Sequence, residues 1–164
     1  MSHWSVEMAG VEPRVAALEP GIRPRTAYRA VAWAVRNPDA PIEDSEAASF
    51  IAEALDRIES AVRSGATVAA GADEMSERYW SWFDEAWEPG VAQLCSAALL
   101  CFAARLELSA ATVMEALLDC YEGVLLRATD EPITPEVERS TPQAVEALGY
   151  QRELIELASA GRGF

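Results

Sequence analysis

Lysine is absent from this 164-residue chain, and histidine and asparagine occur once each, at His3 and Asn37. All thirteen positive charges are therefore arginines, a bias typical of proteins encoded by GC-rich genomes. With one histidine, near the N-terminus, a Ser-His-Asp or Cys-His catalytic group is excluded unless the N-terminal segment folds over the site. The Glu-x-x-His pairs of di-iron helical bundles are excluded for the same reason.

Glycine is sparse, and neither G-x-G-x-x-G nor G-x-x-x-x-G-K occurs, so the sequence predicts no nucleotide-binding loop. Cys95, Cys101 and Cys120 lie in apolar stretches without a C-x-x-C pair, which favours buried free thiols over a disulfide or a zinc site. We therefore expect no cofactor and no bound metal. The first residues lack the pattern of a signal peptide, and no apolar run is long enough to cross a bilayer, so we expect a cytoplasmic protein.

Acidic residues outnumber basic ones by 27 to 13, which gives a net charge of −14. Such a surface repels nucleic-acid phosphates and anionic membranes, so we expect neither as a partner. It attracts basic proteins instead. The alternative explanation is that the acidity only keeps the protein soluble.

The composition indicates an all-α protein, because alanine is abundant and half of the residues are apolar. The length fits one domain. We predict a single-domain bundle of about six helices at 23–161 around a buried central helix, preceded by an irregular N-terminal tail at 1–22. The spacing of apolar residues predicts helices at 24–36, at 42–64, from Asp73 onward, at 90–106, at 110–127, and from Pro142 to the stop at Gly161.

The stretch 77–105 is the one around which the rest of the bundle is expected to pack. Its first half is aromatic and acidic, Pro89-Gly90 predicts a turn, and its second half is apolar on nearly every face. A helix that is apolar all round is buried by others. We therefore predict that residues 90–106 form the axis of the bundle.

The aromatic half divides into two sets. One predicted face of this helix carries Met75, Tyr79, Trp80, Phe83 and Trp87, and the last three are predicted to face the core. The residues that fall off this side form an acidic-aromatic patch, and tryptophan is common at the centres of protein interfaces. The predicted partner-binding residues are Trp82, Asp84, Glu85 and Glu88.

Several glutamate pairs three residues apart suggest another possibility, a carboxylate site for Mg²⁺ or Mn²⁺. Such pairs are also the ordinary solvent-facing charge of an acidic helix. The pairs are Glu43 with Glu46, Glu74 with Glu77, Glu85 with Glu88, and Glu153 with Glu156.

Three segments resemble the YjaG-like family of bacterial helical proteins, which is catalogued as a domain of unknown function. They are TAYRAVAWAVRNPD at 26–39, the apolar helix 90–106 followed by Ser109, and a C-terminal signature of Pro142, Val145, Glu146 and residues 151–155. Where the family has Pro-Asn-Tyr after the first helix, this chain has Asn-Pro-Asp. The resemblance implies an all-α bundle. It implies no reaction and no functional residues.

Three functions are compatible with these observations. The favoured one is an acidic module that binds a basic protein, as an immunity protein binds a toxin nuclease. The second is a carboxylate–metal enzyme that uses Mg²⁺ or Mn²⁺. The third is a structural homodimer or larger homo-oligomer, with Trp82 or the first helix between the copies.

Overall fold

The computed structural model describes residues 2–36, 41–64, 71–82, 88–102 and 108–161. Within these ranges the chain forms helices and no strand, and one hydrophobic core joins the helices. The helices are α1 (His3–Glu7), α2 (Glu12–Ala16), α3 (Ile22–Arg36), α4 (Ser45–Ser64), α5 (Ala72–Ser81), α6 (Val91–Leu100), α7 (Ala110–Ala128), α8 (Pro135–Ser140) and α9 (Pro142–Ser159). The predicted all-α bundle is confirmed. None of the described helices combines the length and the apolar character that a membrane span requires.

Two helices share the centre of the bundle. Helix α7 contacts α2, α3, α6 and α9, whereas α6 contacts α3, α4, α5 and α7. The axis predicted at 90–106 is thus half of a central pair. Helix α6 ends at Leu100, where Cys101 and Phe102 form a turn, and residues 103–106 of the predicted segment lie outside the described residues.

Helices α6 and α7 approach each other closely where glycine faces glycine. Gly90, which precedes α6, has a φ of 79°, and a Cβ atom added to it would lie 2.3 Å from the carbonyl oxygen of Gly123. A Cβ atom added to Gly123 would lie 2.7 Å from Cδ2 of Leu94. The contact therefore depends on the missing side chains at both positions.

The N-terminal segment is helical, which corrects the irregular tail expected at 1–22. Ser2 caps α1 by accepting a hydrogen bond from the Ser5 amide at 3.1 Å, and Pro13 occupies the first turn of α2. The buried side chains of the segment follow a helical repeat: Trp4, Met8, Val11, Val15 and Leu18. Both helices are short and the segment contains proline and glycine, which argue against a helix. The repeat was therefore not recognised in the sequence.

Helix α8 lies between α7 and α9, in a proline-containing segment where no helix was predicted. Thr134 caps it by accepting from the Val137 amide at 3.2 Å, and Pro135 occupies its first turn. The predicted start of α4 at residue 42 was three residues too early. Asp44 accepts from the amides of Glu46 (2.9 Å) and Ala47 (3.0 Å), so that helix begins at Ser45.

Candidate binding cleft

The core-facing side of α5 is formed by Met75, Tyr79 and Trp82. Met75 is buried, and the Trp82 ring meets Phe50 of α4 edge-on with ring centroids 5.4 Å apart. The Tyr79 ring also packs on Phe50, at 6.3 Å. The spacing i, i+4, i+7 places these three side chains on one face of the helix.

A charged contact fixes this orientation of α5 against α4. The Arg78 guanidinium donates to the Glu53 carboxylate at 2.8 Å, and Glu53 also pairs with Arg57 of its own helix. The same guanidinium lies 5.0 Å from the centre of the Trp82 ring. Trp82 is thereby held between the core and a cation, an arrangement that stabilises both partners.

The orientation leaves Trp80 on the solvent side, with 58% of its surface exposed. Its ring meets Tyr79 edge-on at 5.3 Å. The expectation that Trp80 belongs to the core was therefore wrong. Phe83 and Trp87, expected on the same side, lie outside the described residues.

The predicted partner patch consisted of Trp82, Asp84, Glu85 and Glu88. Of these, Trp82 is half-buried against Phe50, and Asp84 and Glu85 lie outside the described residues. Glu88 pairs with Arg127 at 3.2 Å and accepts a hydrogen bond from the Asp44 amide at 2.5 Å. Both described members make contacts within the chain, and their role in binding a partner stays a prediction.

A cleft of about 570 Å³ opens beside the exposed Trp80, between α5, α6 and α7. Tyr79 and Trp80 form one wall. Leu99, Leu100 and Phe102 contribute its apolar surface, and its charged lining residues are Asp73 and Glu115. The cleft thus combines aromatic, aliphatic and acidic groups, with both carboxylates on exposed residues.

A row of carboxylates continues from this cleft along α7. Glu115, Asp119 and Glu122 follow the spacing i, i+4, i+7, and we call them the acidic ridge. Burial raises the pKa of Asp119; the Ser96 hydroxyl, a hydrogen-bond partner, lowers it, and the Glu115 charge raises it. Burial raises the pKa of Glu122 too, with Asp119 and Glu138 adding to the effect. Repulsion within the ridge would be relieved by an incoming cation.

Ser96 connects the ridge to the cleft. It lines the cleft and is a hydrogen-bond partner of both Asp119 and Tyr79. A serine beside a carboxylate lacks the nitrogen base of a catalytic triad. In the part of the chain that the structure describes, no three His, Cys, Asp or Glu side chains lie close enough to hold a metal ion. The arrangement is suited to holding a cationic, partly apolar group.

Sequence reasoning also missed a buried polar network that attaches α1 to the bundle. Glu138 of α8 is 2% exposed and accepts hydrogen bonds from the Tyr121 hydroxyl at 3.0 Å and the amide of His3 at 2.8 Å. The Trp4 indole donates to Gln151 at 2.8 Å. Nothing in the sequence distinguishes Glu138 from the exposed Glu136 two residues earlier, because the burial of Glu138 results from contacts with distant residues of α1 and α7.

Comparisons of the chain with protein-family models, with curated proteins and with solved structures found no match in any of the three. The resemblance to the YjaG-like family accordingly stays a prediction.

Proposed function

We propose that this protein is a binding module for a basic partner protein, and that the cleft beside Trp80 is its recognition site. The observation that carries the proposal is the exposed Trp80 next to an apolar wall and the carboxylates of Asp73 and Glu115. Exposed tryptophans beside pockets are frequent energetic centres of protein interfaces. This site replaces Trp82 with Trp80 as the main aromatic contact.

The charge of the molecule supports the same partner. A net charge of −14 steers basic proteins toward the surface and accelerates their association. The acidic ridge adds carboxylates whose mutual repulsion a cationic group would reduce. An arginine or lysine of the partner that enters the cleft would contact the rings with its aliphatic part and the carboxylates with its charge.

The class of function that these features suit best is that of an acidic inhibitor or immunity-like protein. Such a protein covers the cationic surface of a basic enzyme, for example a nuclease, and prevents the substrate of that enzyme from binding. The proposal requires a complex whose affinity decreases with salt, because screening weakens attraction between exposed charges.

The test is photo-crosslinking with p-benzoylphenylalanine at position 80, in cells of the source organism. The replacement keeps an aromatic side chain at the cleft. Position 145 serves as the matched control, since Val145 is also solvent-exposed (48%) but lies on α9. We expect a protein with a basic isoelectric point to be captured at position 80 and not at position 145.

The captured protein is then purified and its binding to the unmodified chain is measured at increasing salt concentrations. Affinity should decrease with salt and should also decrease in the variant Glu115→Gln. Equal capture at both positions, no capture at position 80, or binding that is insensitive to salt would contradict the proposal.

A further inference from the structure

A second groove, of about 480 Å³, lies between α3 and α9. Ala32, Leu154 and Leu157 provide its apolar lining, and Ala32 and Leu154 belong to the buried core. Volumes of this order are typical of sites for small molecules. The groove shares no lining residue with the cleft beside Trp80.

Two stacked aromatic rings form one part of this groove. Trp33 of α3 and Tyr150 of α9 lie nearly parallel, with ring centroids 4.9 Å apart and an interplanar angle of 12°. Both side chains are partly exposed. They present aromatic surface to the groove, against which a planar group could pack.

The charge on α3 is opposite to that of the whole molecule. The helix contains Arg23, Arg25, Arg29 and Arg36 and no acidic residue. Arg23 donates to the backbone carbonyl of Ala16 at 2.6 Å, so it belongs to the packing of α2 and α3. Arg29 and Arg36 both line the groove, two turns apart, with Trp33 between them.

The excess positive charge lies at the Arg36 end. At the other end, Glu153 is the one carboxylate among the described lining residues, and its charge opposes that of Arg29 beside Tyr150. Near Arg36, the Glu59 carboxylate is a hydrogen-bond partner of Tyr28 and pairs with Arg63 at 2.6 Å, so it is engaged by groups other than Arg36. An anion would therefore contact Arg36 rather than Arg29.

We infer that the groove between α3 and α9 binds a small organic anion with a flat apolar body, such as an aromatic carboxylate or a nucleoside monophosphate. The planar body packs against Trp33 and Tyr150, and the anionic group pairs with the Arg36 guanidinium. Arginine suits this contact because its planar fork matches carboxylate and phosphate oxygens. The inference does not depend on the protein partner proposed above.

The test is isothermal titration calorimetry of the full chain with naphthoate and with adenosine monophosphate. Their uncharged counterparts, naphthamide and adenosine, measure the contribution of the anionic group. We expect Arg36→Gln to weaken binding of the anion by about three- to fivefold, in the upper part of the range for one exposed ion pair. Glu153→Gln removes the opposing carboxylate and should strengthen binding.

Two control variants change the net charge equally at exposed positions outside the groove. Arg139→Gln is matched to Arg36→Gln, and Glu156→Gln, also on α9, is matched to Glu153→Gln. Binding of either anion with these opposite effects supports the inference and shows which ligand class is preferred. Failure of both anions to bind, equal binding of the uncharged compounds, or equal effects of the variants and their controls would overturn it.

Discussion

The positions of Trp80 and Trp82 on helix α5 decide which of the two side chains faces the core and which faces solvent. Both tryptophans follow apolar spacings, one shared with Phe83 and Trp87 and the other with Met75 and Tyr79. The sequence alone could not choose between the two helix faces. The choice depends on Phe50 and Arg78, which hold Trp82 against α4.

Substitution of the two tryptophans should have unequal effects on stability. Trp82→Ala removes packing against Phe50 and should lower the free energy of unfolding by about 2–3 kcal/mol, somewhat less than for a fully buried ring. Trp80→Ala should change it by less than about 1 kcal/mol, because the side chain is mostly exposed. Urea denaturation of both variants provides the measurement. A larger loss for Trp80→Ala would contradict the orientation of α5.

Asp119 should make stability depend on pH. Burial raises its pKa in the folded state, so the folded protein binds its proton more tightly than the unfolded chain does. The contribution of the Asp119 carboxyl group to stability is therefore present below its pKa in the unfolded chain. It is lost as the pH rises through the higher pKa of the folded state. Asp119→Asn removes this titration, and its melting temperature should rise relative to the parent protein between about pH 4 and pH 7.

The comparison is made by calorimetry across this range, with Asp130→Asn, at an exposed position, as the control. The increase in melting temperature of Asp119→Asn over the parent protein should grow with pH. An increase that does not grow with pH, or that also appears in the control, would show that burial of the Asp119 charge does not destabilise the protein.

Among the secondary-structure elements, the long helices could be predicted from the sequence, whereas the short helices α1 and α2 could not. The i, i+3, i+4 spacing of α4 predicted its length to within a few residues, and α7 begins at residue 110 as predicted, where Ser109 caps it. Helices α1 and α2 repeat apolar residues at helical spacing, but each is too short to be stable without the bundle. The position of α1 depends on Glu138 and Gln151, which lie more than 130 residues away in the chain.

The contact between α6 and α7 can be tested with glycine substitutions. Gly123→Ala should destabilise the protein by about 1–3 kcal/mol, because the added methyl group would overlap Leu94. Gly149→Ala is the matched control, since an added Cβ there meets nothing within 4 Å. That variant should stabilise the protein by about 0.5–1 kcal/mol through better helix propensity. Chemical denaturation measures both, and equal effects of the two substitutions would contradict the close approach.

At the level of the whole molecule, the sequence establishes the net charge but not which charged residues come together in a site. The spacing of Glu115, Asp119 and Glu122 on one helix side is readable from the sequence. Their position near Trp80 and Ser96 is not, because it requires α5 and α6 to pack beside α7. The same holds for Arg36 and Tyr150, which come together only when α3 meets α9. The spacing of residues in the sequence therefore could not predict sites that several helices form together.

Nuclear magnetic resonance can show whether the cleft beside Trp80 receives a cationic group. Uniformly ¹⁵N-labelled protein is titrated with a short arginine-rich peptide, and the amide and indole resonances are followed. We predict saturable shifts at the Trp80 indole and at the amides of Ser76, Ser96 and Leu99, reduced in the variant Glu115→Gln. Shifts that do not saturate and that spread to distant acidic residues such as Glu136, or an unperturbed Trp80 resonance, would show that the cleft is not the binding site.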